Sequence, residues 1–82
     1  MQTTEIYEKL NGVFRSVFAD DTIVVTPQTT ADDVDDWDSL AHVRLILTTE
    51  RTFGVKFSAY EVNQLRNVGQ LVELVQAKLA RQ

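Results

Sequence analysis

Ile6, Leu10, Val13, Phe14, Val17 and Phe18 recur at intervals of four, three, one, three and one. On a helix of about 3.6 residues per turn, that spacing gathers them into one stripe, with Glu5, Glu8, Lys9 and Arg15 mostly off it. It predicts an amphipathic helix over roughly residues 4 to 18, weakened but not broken at Asn11-Gly12. The pattern returns from Ser39 to about Phe53, where Leu40, Val43, Ile46, Leu47 and Phe53 form the predicted buried stripe. Asp38 stands as N-cap, and Gly54 sits where a left-handed residue commonly ends a helix. A short third helix is announced by Ser58-Ala59-Tyr60-Glu61, a capping-box arrangement, and runs out near Leu65. After a weaker start signal at Asn67-Val68-Gly69-Gln70, Val68, Leu71, Val72, Val75 and Leu79 trace a last helix to the C-terminus, with Lys78 and Arg81 placed well against its dipole. These readings predict an all-α four-helix bundle with a long first loop and a short third helix.

The long loop is residues 19 to 38, which have no helical period and contain Pro27, four Thr and seven Asp. Long ordered loops in small domains tend to be functional, and Val24, Val25, Val34 and Trp37 are the residues expected to pin this one to the core. Eighty-two residues with seven aromatics suffice for one core, so a single domain spanning 1–82 is expected. No apolar run is long enough to span a bilayer, and the N-terminus lacks a secretory pattern, so a cytoplasmic protein is expected. The net charge of -4 disfavours nucleic acid and anionic membrane as partners. Without Cys there is neither a disulfide nor a thiolate ligand, and any thiol chemistry must use a sulfur brought from outside.

The chemistry-bearing segment is Asp38-Ser39-Leu40, preceded by Asp36-Trp37. A hydroxyl at the first helical position is exposed and firmly aimed, and the backbone N–H groups of the first turn carry partial positive charge that suits a phosphate. The same residue can equally be an unmodified helix-start serine, a position Ser favours.

Here the chain resembles the acyl carrier proteins, whose hallmark Asp-Ser-Leu stands as Asp38-Ser39-Leu40. The run WDSLAHVRLILTTERTFGVKFS is similar to their second helix and following loop, TPQTTADDV to the end of their first loop, and the order of elements matches over nearly the whole chain. The resemblance implies that a phosphopantetheinyl transferase, using coenzyme A and Mg²⁺, attaches phosphopantetheine to Ser39 through a phosphodiester. An acyl group would then ride as a thioester on a sulfur the polypeptide does not encode. By the same resemblance Asp38 holds the turn, while Leu40 anchors the helix start and contacts the transferase. The implied protein is a monomeric carrier, not an enzyme, with acyl-loading and acyl-processing enzymes as further partners. The same motif leaves open a peptidyl or aminoacyl carrier, and an unmodified helical interaction module stands as the other alternative.

Two departures point to a specialised pathway. Trp37 occupies a position where the fatty-acid carriers frequently have Gly, and where their second helix presents several acids to basic partner enzymes, this one offers His42, Arg44, Glu50 and Arg51. The dense negative field lies instead on Asp32, Asp33, Asp35, Asp36 and Asp38, so partner contact is expected mainly on the acidic loop and the helix start and less on the middle of the second helix, where Arg44 and Arg51 would repel a basic patch. A Ser39-His42-Asp38 nucleophilic arrangement is rejected, since all three lie on one exposed turn and no oriented third group supports the base. Trp37 and His42 instead take the positions of a hydrophobic staple, which predicts that their rings pack together. The Asp run also fails as a calcium loop: counted from Asp33, the position that requires Gly holds Asp38 and the last ligand position holds Arg44. No metal ligand and no catalytic residue is therefore assigned.

Overall fold

The computed structural model describes residues 2–81, and its last three helices begin where a side chain takes up a backbone N–H that helix geometry leaves unpaired. Helix α1 covers Thr3–Phe18, α2 Ser39–Phe53, α3 Ala59–Asn63 and α4 Val68–Ala80, with one 3-10 turn at Ala31–Asp33. Asp38 Oδ1 accepts the Ala41 N–H at 2.8 Å, Ser58 Oγ the Glu61 N–H at 3.1 Å, and Asn67 Oδ1 the Gln70 N–H at 2.9 Å. Each such cap is worth roughly 1 kcal/mol. The residues that end α1 and α2, Ala19 and Gly54, both adopt the left-handed conformation, with φ 51° and 68°. Helix α3 stops two residues short of the predicted Leu65. Gln64 and Leu65 continue as a turn, their N–H groups bonded to the carbonyls of Glu61 and Val62.

The core is built by α1 packing against both α2 and α4. Ile6, Leu10, Val13 and Phe14 of α1 meet Leu45, Ile46 and Phe53 of α2 and Val68, Leu71, Val72 and Val75 of α4, with Val25 and Val55 added from the connections. The predicted stripe of α2 needs correction. Leu40, Val43 and Leu47 are 71 %, 54 % and 50 % exposed, and the inward residues are Leu45, Ile46, Thr49 and Phe53. Thr49 is fully buried without penalty because its hydroxyl donates to the Leu45 carbonyl at 2.7 Å.

The connection between α1 and α2 is held at both flanks. On the α1 side, Asn11 Oδ1 accepts the Val25 N–H at 2.8 Å and the Arg15 Nε–H donates to the Ile23 carbonyl at 2.8 Å. At α4, the N–H of Val68 donates to the Thr29 carbonyl at 2.9 Å and that of Gly69 to the Pro27 carbonyl at 3.0 Å, so the loop supplies acceptors for that helix start. The approach is close enough that a Cβ on Gly69 would fall 2.9 Å from the Pro27 oxygen. Of the residues expected to pin the loop, Val25 is buried and Trp37 packs on the core; Val34 is half-buried, and Val24 is exposed. Ile23 takes the place expected of Val24.

Candidate functional site

The turn ahead of Ser39 is set by Trp37. Its indole lies edge-on to Phe14, with ring centroids 5.4 Å apart, and 6.0 Å from Phe18, so the C-terminal half of α1 fixes the chain just before α2 starts. The predicted staple is present: the Trp37 and His42 rings stack at 6.1 Å with an interplanar angle of 18°. It also carries a polar link that sequence reasoning missed, from the Trp37 Nε1–H to His42 Nδ1 at 3.2 Å. That bond requires an unprotonated Nδ1, and burial agrees with it by lowering the His42 pKa from its ordinary value of 6.5. Asp36 reaches Trp37 with a left-handed φ of 68°, a conformation that Asp tolerates better than most residues.

Ser39 is exposed at the first position of α2. The Ala41 N–H is taken by Asp38 Oδ1 and the His42 N–H by the Asp38 carbonyl at 2.9 Å. The N–H groups of Ser39 and Leu40 have no acceptor among the described residues. They leave a small field of donors around the Ser39 hydroxyl, a setting suited to a phosphodiester. Leu40 points to solvent, so it is available to a partner but does not anchor the helix by burial. His42 is turned to Trp37, and no hydrogen bond joins its side chain to Ser39 or Asp38 among the described residues. The three side chains therefore do not assemble into a nucleophilic site.

Beside Ser39 a solvent-open cleft of about 530 Å³ runs between α2 and the α3–α4 corner. Its walls include Trp37, His42, Leu45 and Ile46 on one side and Asn63, Leu65, Arg66 and Leu71 on the other. Of the second wall, Leu71 was legible only as core and Leu65 only as the end of the short third helix, and Asn63 and Arg66 carried no signal, because the corner that brings them opposite Ser39 is a tertiary arrangement. The α3 side is fixed by an ion pair, Lys78 Nζ to Glu61 Oε1 at 2.9 Å; Glu61's pKa is lowered, first by its bond from the Ser58 N–H and then by Lys78. An exposed hydroxyl at the mouth of a cleft with both polar and apolar walls leaves room for a long slender group joined through a phosphodiester. The Asp cluster is engaged locally at two points: Asp33 Oδ2 accepts from the Thr30 N–H at 2.9 Å, and Asp38 caps α2. No helix among the described residues is long and apolar enough to cross a membrane.

Residues 8–75 match the family model described as a phosphopantetheine attachment site. The chain is 32 % identical over 80 residues to acyl carrier protein 2 from Ralstonia nicotianae, a match covering 98 % of this chain and 99 % of the relative. It is 48 % identical to a holo acyl carrier protein from Geobacter metallireducens whose solution structure superposes with a TM-score of 0.86, covering 92 % of this chain and 86 % of that one.

Proposed function

Because the chain belongs to the acyl carrier protein family and carries phosphopantetheine covalently, we propose that Ser39 is the residue that holds the arm. The observation that carries this assignment is the exposed Ser39 hydroxyl at the first position of α2, beside two unpaired N–H groups and at the mouth of the cleft. When attached, phosphopantetheine supplies the thiol that carries the acyl group as a thioester, which no Cys of this chain can do. The protein's part is to present and hold. Asp38 fixes the first turn of α2, Trp37 and His42 set the angle at which the loop reaches it, and the polar and apolar walls of the cleft give the arm a surface to lie on.

Proteins of this family meet phosphopantetheinyl transferases and acyl-processing enzymes as partners. For this chain, the partners we propose belong to a specialised pathway with its own loading enzyme, and the carrier acts as a monomer. Trp37 at the turn and the basic residues on α2 support that reading. Incubation with coenzyme A, Mg²⁺ and a broad-specificity transferase should add one phosphopantetheine mass to the wild type and nothing to Ser39→Ala. Addition to both proteins would place the arm elsewhere.

A further inference from the structure

Three polar side chains that line the cleft beside Ser39 keep a donor without a partner among the described residues. On the far wall the Arg66 guanidinium has no carboxylate within ion-pairing distance, and only the backbone N–H of that residue is engaged, by Gln70 Oε1 at 2.6 Å. The carboxamide of Asn63, on the same wall, makes no hydrogen bond. On the near wall His42 Nδ1 accepts the Trp37 Nε1–H at 3.2 Å, so the neutral imidazole carries its own proton on Nε2, which has no acceptor. Leu45, Ile46 and Leu71 make the remaining surface largely apolar. The one acid of the cleft, Asp38, belongs to the serine's side, caps α2 through Oδ1 and lies beyond ion-pairing reach of Arg66.

We propose that Arg66 selects the cargo: the acyl group on the arm ends in a second carboxylate, and Arg66 binds that carboxylate from the far wall of the cleft, an inference that rests on the reading of Ser39 above. A guanidinium pairs best with an oxyanion, through two parallel N–H···O bonds. The arm's own charge is its phosphodiester, which is tied to Ser39 on the near wall, where the unpaired N–H groups of Ser39 and Leu40 face it. From the phosphate to the thioester the arm offers only hydroxyl and amide groups. An anion for the far wall therefore comes from what the thioester holds. Asp38 and the phosphate favour the same placement, because two negative charges beside Ser39 repel a third toward Arg66. Leu45, Ile46 and Leu71 suit the methylene groups that separate a thioester from a distal carboxylate. An aminoacyl group, cationic at neutral pH, meets Arg66 as a like charge, and a plain fatty acyl group leaves the guanidinium unused.

The test loads wild type, Arg66→Gln and Arg66→Lys with a broad-specificity transferase from coenzyme A, hexanoyl-coenzyme A or adipyl-coenzyme A, the two acyl groups being equal in chain length and differing in the terminal carboxylate. Arg66 is exposed, so neither variant removes a buried contact. Intact mass verifies each product, and a wild type that gains no mass defeats the assignment of Ser39 and this subsite with it. Two readouts follow on the loaded proteins: the Arg66 Nε–H resonance, identified by its absence in Arg66→Gln, and the rate at which hydroxylamine cleaves the thioester. The resonance should move in the adipyl form and stay in the hexanoyl form where the unacylated arm leaves it. Adipyl cleavage should be about threefold slower in wild type than in Arg66→Gln, the scale of an exposed ion pair, with Arg66→Lys between them. Hexanoyl cleavage should be equal in all three, and added salt should bring the adipyl rates together. Adipyl rates that agree between wild type and Arg66→Gln overturn the subsite while leaving Ser39 in place. So does an Arg66 resonance that the unacylated arm already displaces as far as the adipyl group does, since its partner would then be the phosphate.

Discussion

His42 shows how much a single side chain can carry besides chemistry. It accepts a hydrogen bond from Trp37 on the nitrogen that would have to be protonated in acid, and its burial lowers its pKa. The unfolded chain therefore takes up this proton at a higher pH than the folded one. The stability linked to His42 is present above the ordinary value of 6.5 and is lost as pH falls through the lower folded value. Because Trp37 is the only tryptophan, its fluorescence reports the pair directly. A titration should show a transition with a midpoint below 6.5, absent in His42→Gln. The melting temperature of His42→Gln should fall less than that of the wild type between neutral pH and pH of about 5. A fluorescence midpoint at or above the ordinary value would contradict this account. The ring stacking was legible in the sequence, because residues flanking a cap meet whenever the helix forms. The hydrogen bond was not, since it depends on which way each ring is turned.

At the scale of the helices, the ends were more legible than the faces. Asp38, Ser58 and Asn67 each pair with an N–H three residues ahead, and such local pairs survive any tertiary arrangement. The inward side of α2 could not be read from periodicity. The stripes Leu40-Val43-Leu47 and Leu45-Ile46-Phe53 are both helical, and only contact with α1 decides between them. Nor could Asn11 be read as an anchor, since its partner Val25 lies 14 residues away. The two left-handed helix ends make an opposed pair for experiment. Ala19 carries a Cβ in a conformation that disfavours one, so Ala19→Gly should stabilise the fold by about 0.5 to 1 kcal/mol, a rise of roughly 2 to 8 °C in melting temperature. Gly54→Ala should cost about 1 kcal/mol, although nothing stands within 4 Å of the added Cβ, because the strain lies in the backbone. Thermal melts that order the three proteins otherwise would show that the ends relax.

For the whole molecule, the sequence is divided at Ser39. Residues 1 to 38 hold nine acids against Lys9 and Arg15, while residues 39 to 82 hold six bases against Glu50, Glu61 and Glu73. Seven of the acids are Asp residues between 20 and 38, and folding confines them to one loop. Their mutual repulsion should be relieved by salt or millimolar divalent cation, raising the melting temperature modestly. Identical melts in low salt, high salt and Mg²⁺ would remove the argument. The same loop is also what ties distant parts of the chain together. The bonds from Val68 to Thr29 and from Gly69 to Pro27 close rings of about 40 residues, and the entropy of closing a ring that size is lost before its contacts are gained. In a refolding chain these bonds are therefore expected to form late, which amide-exchange protection of Val68 and Gly69 would check. A chain whose α4 has not yet docked has the Asp38-Ser39-Leu40 motif but lacks the part of the cleft wall that Asn67 and Leu71 supply beside it.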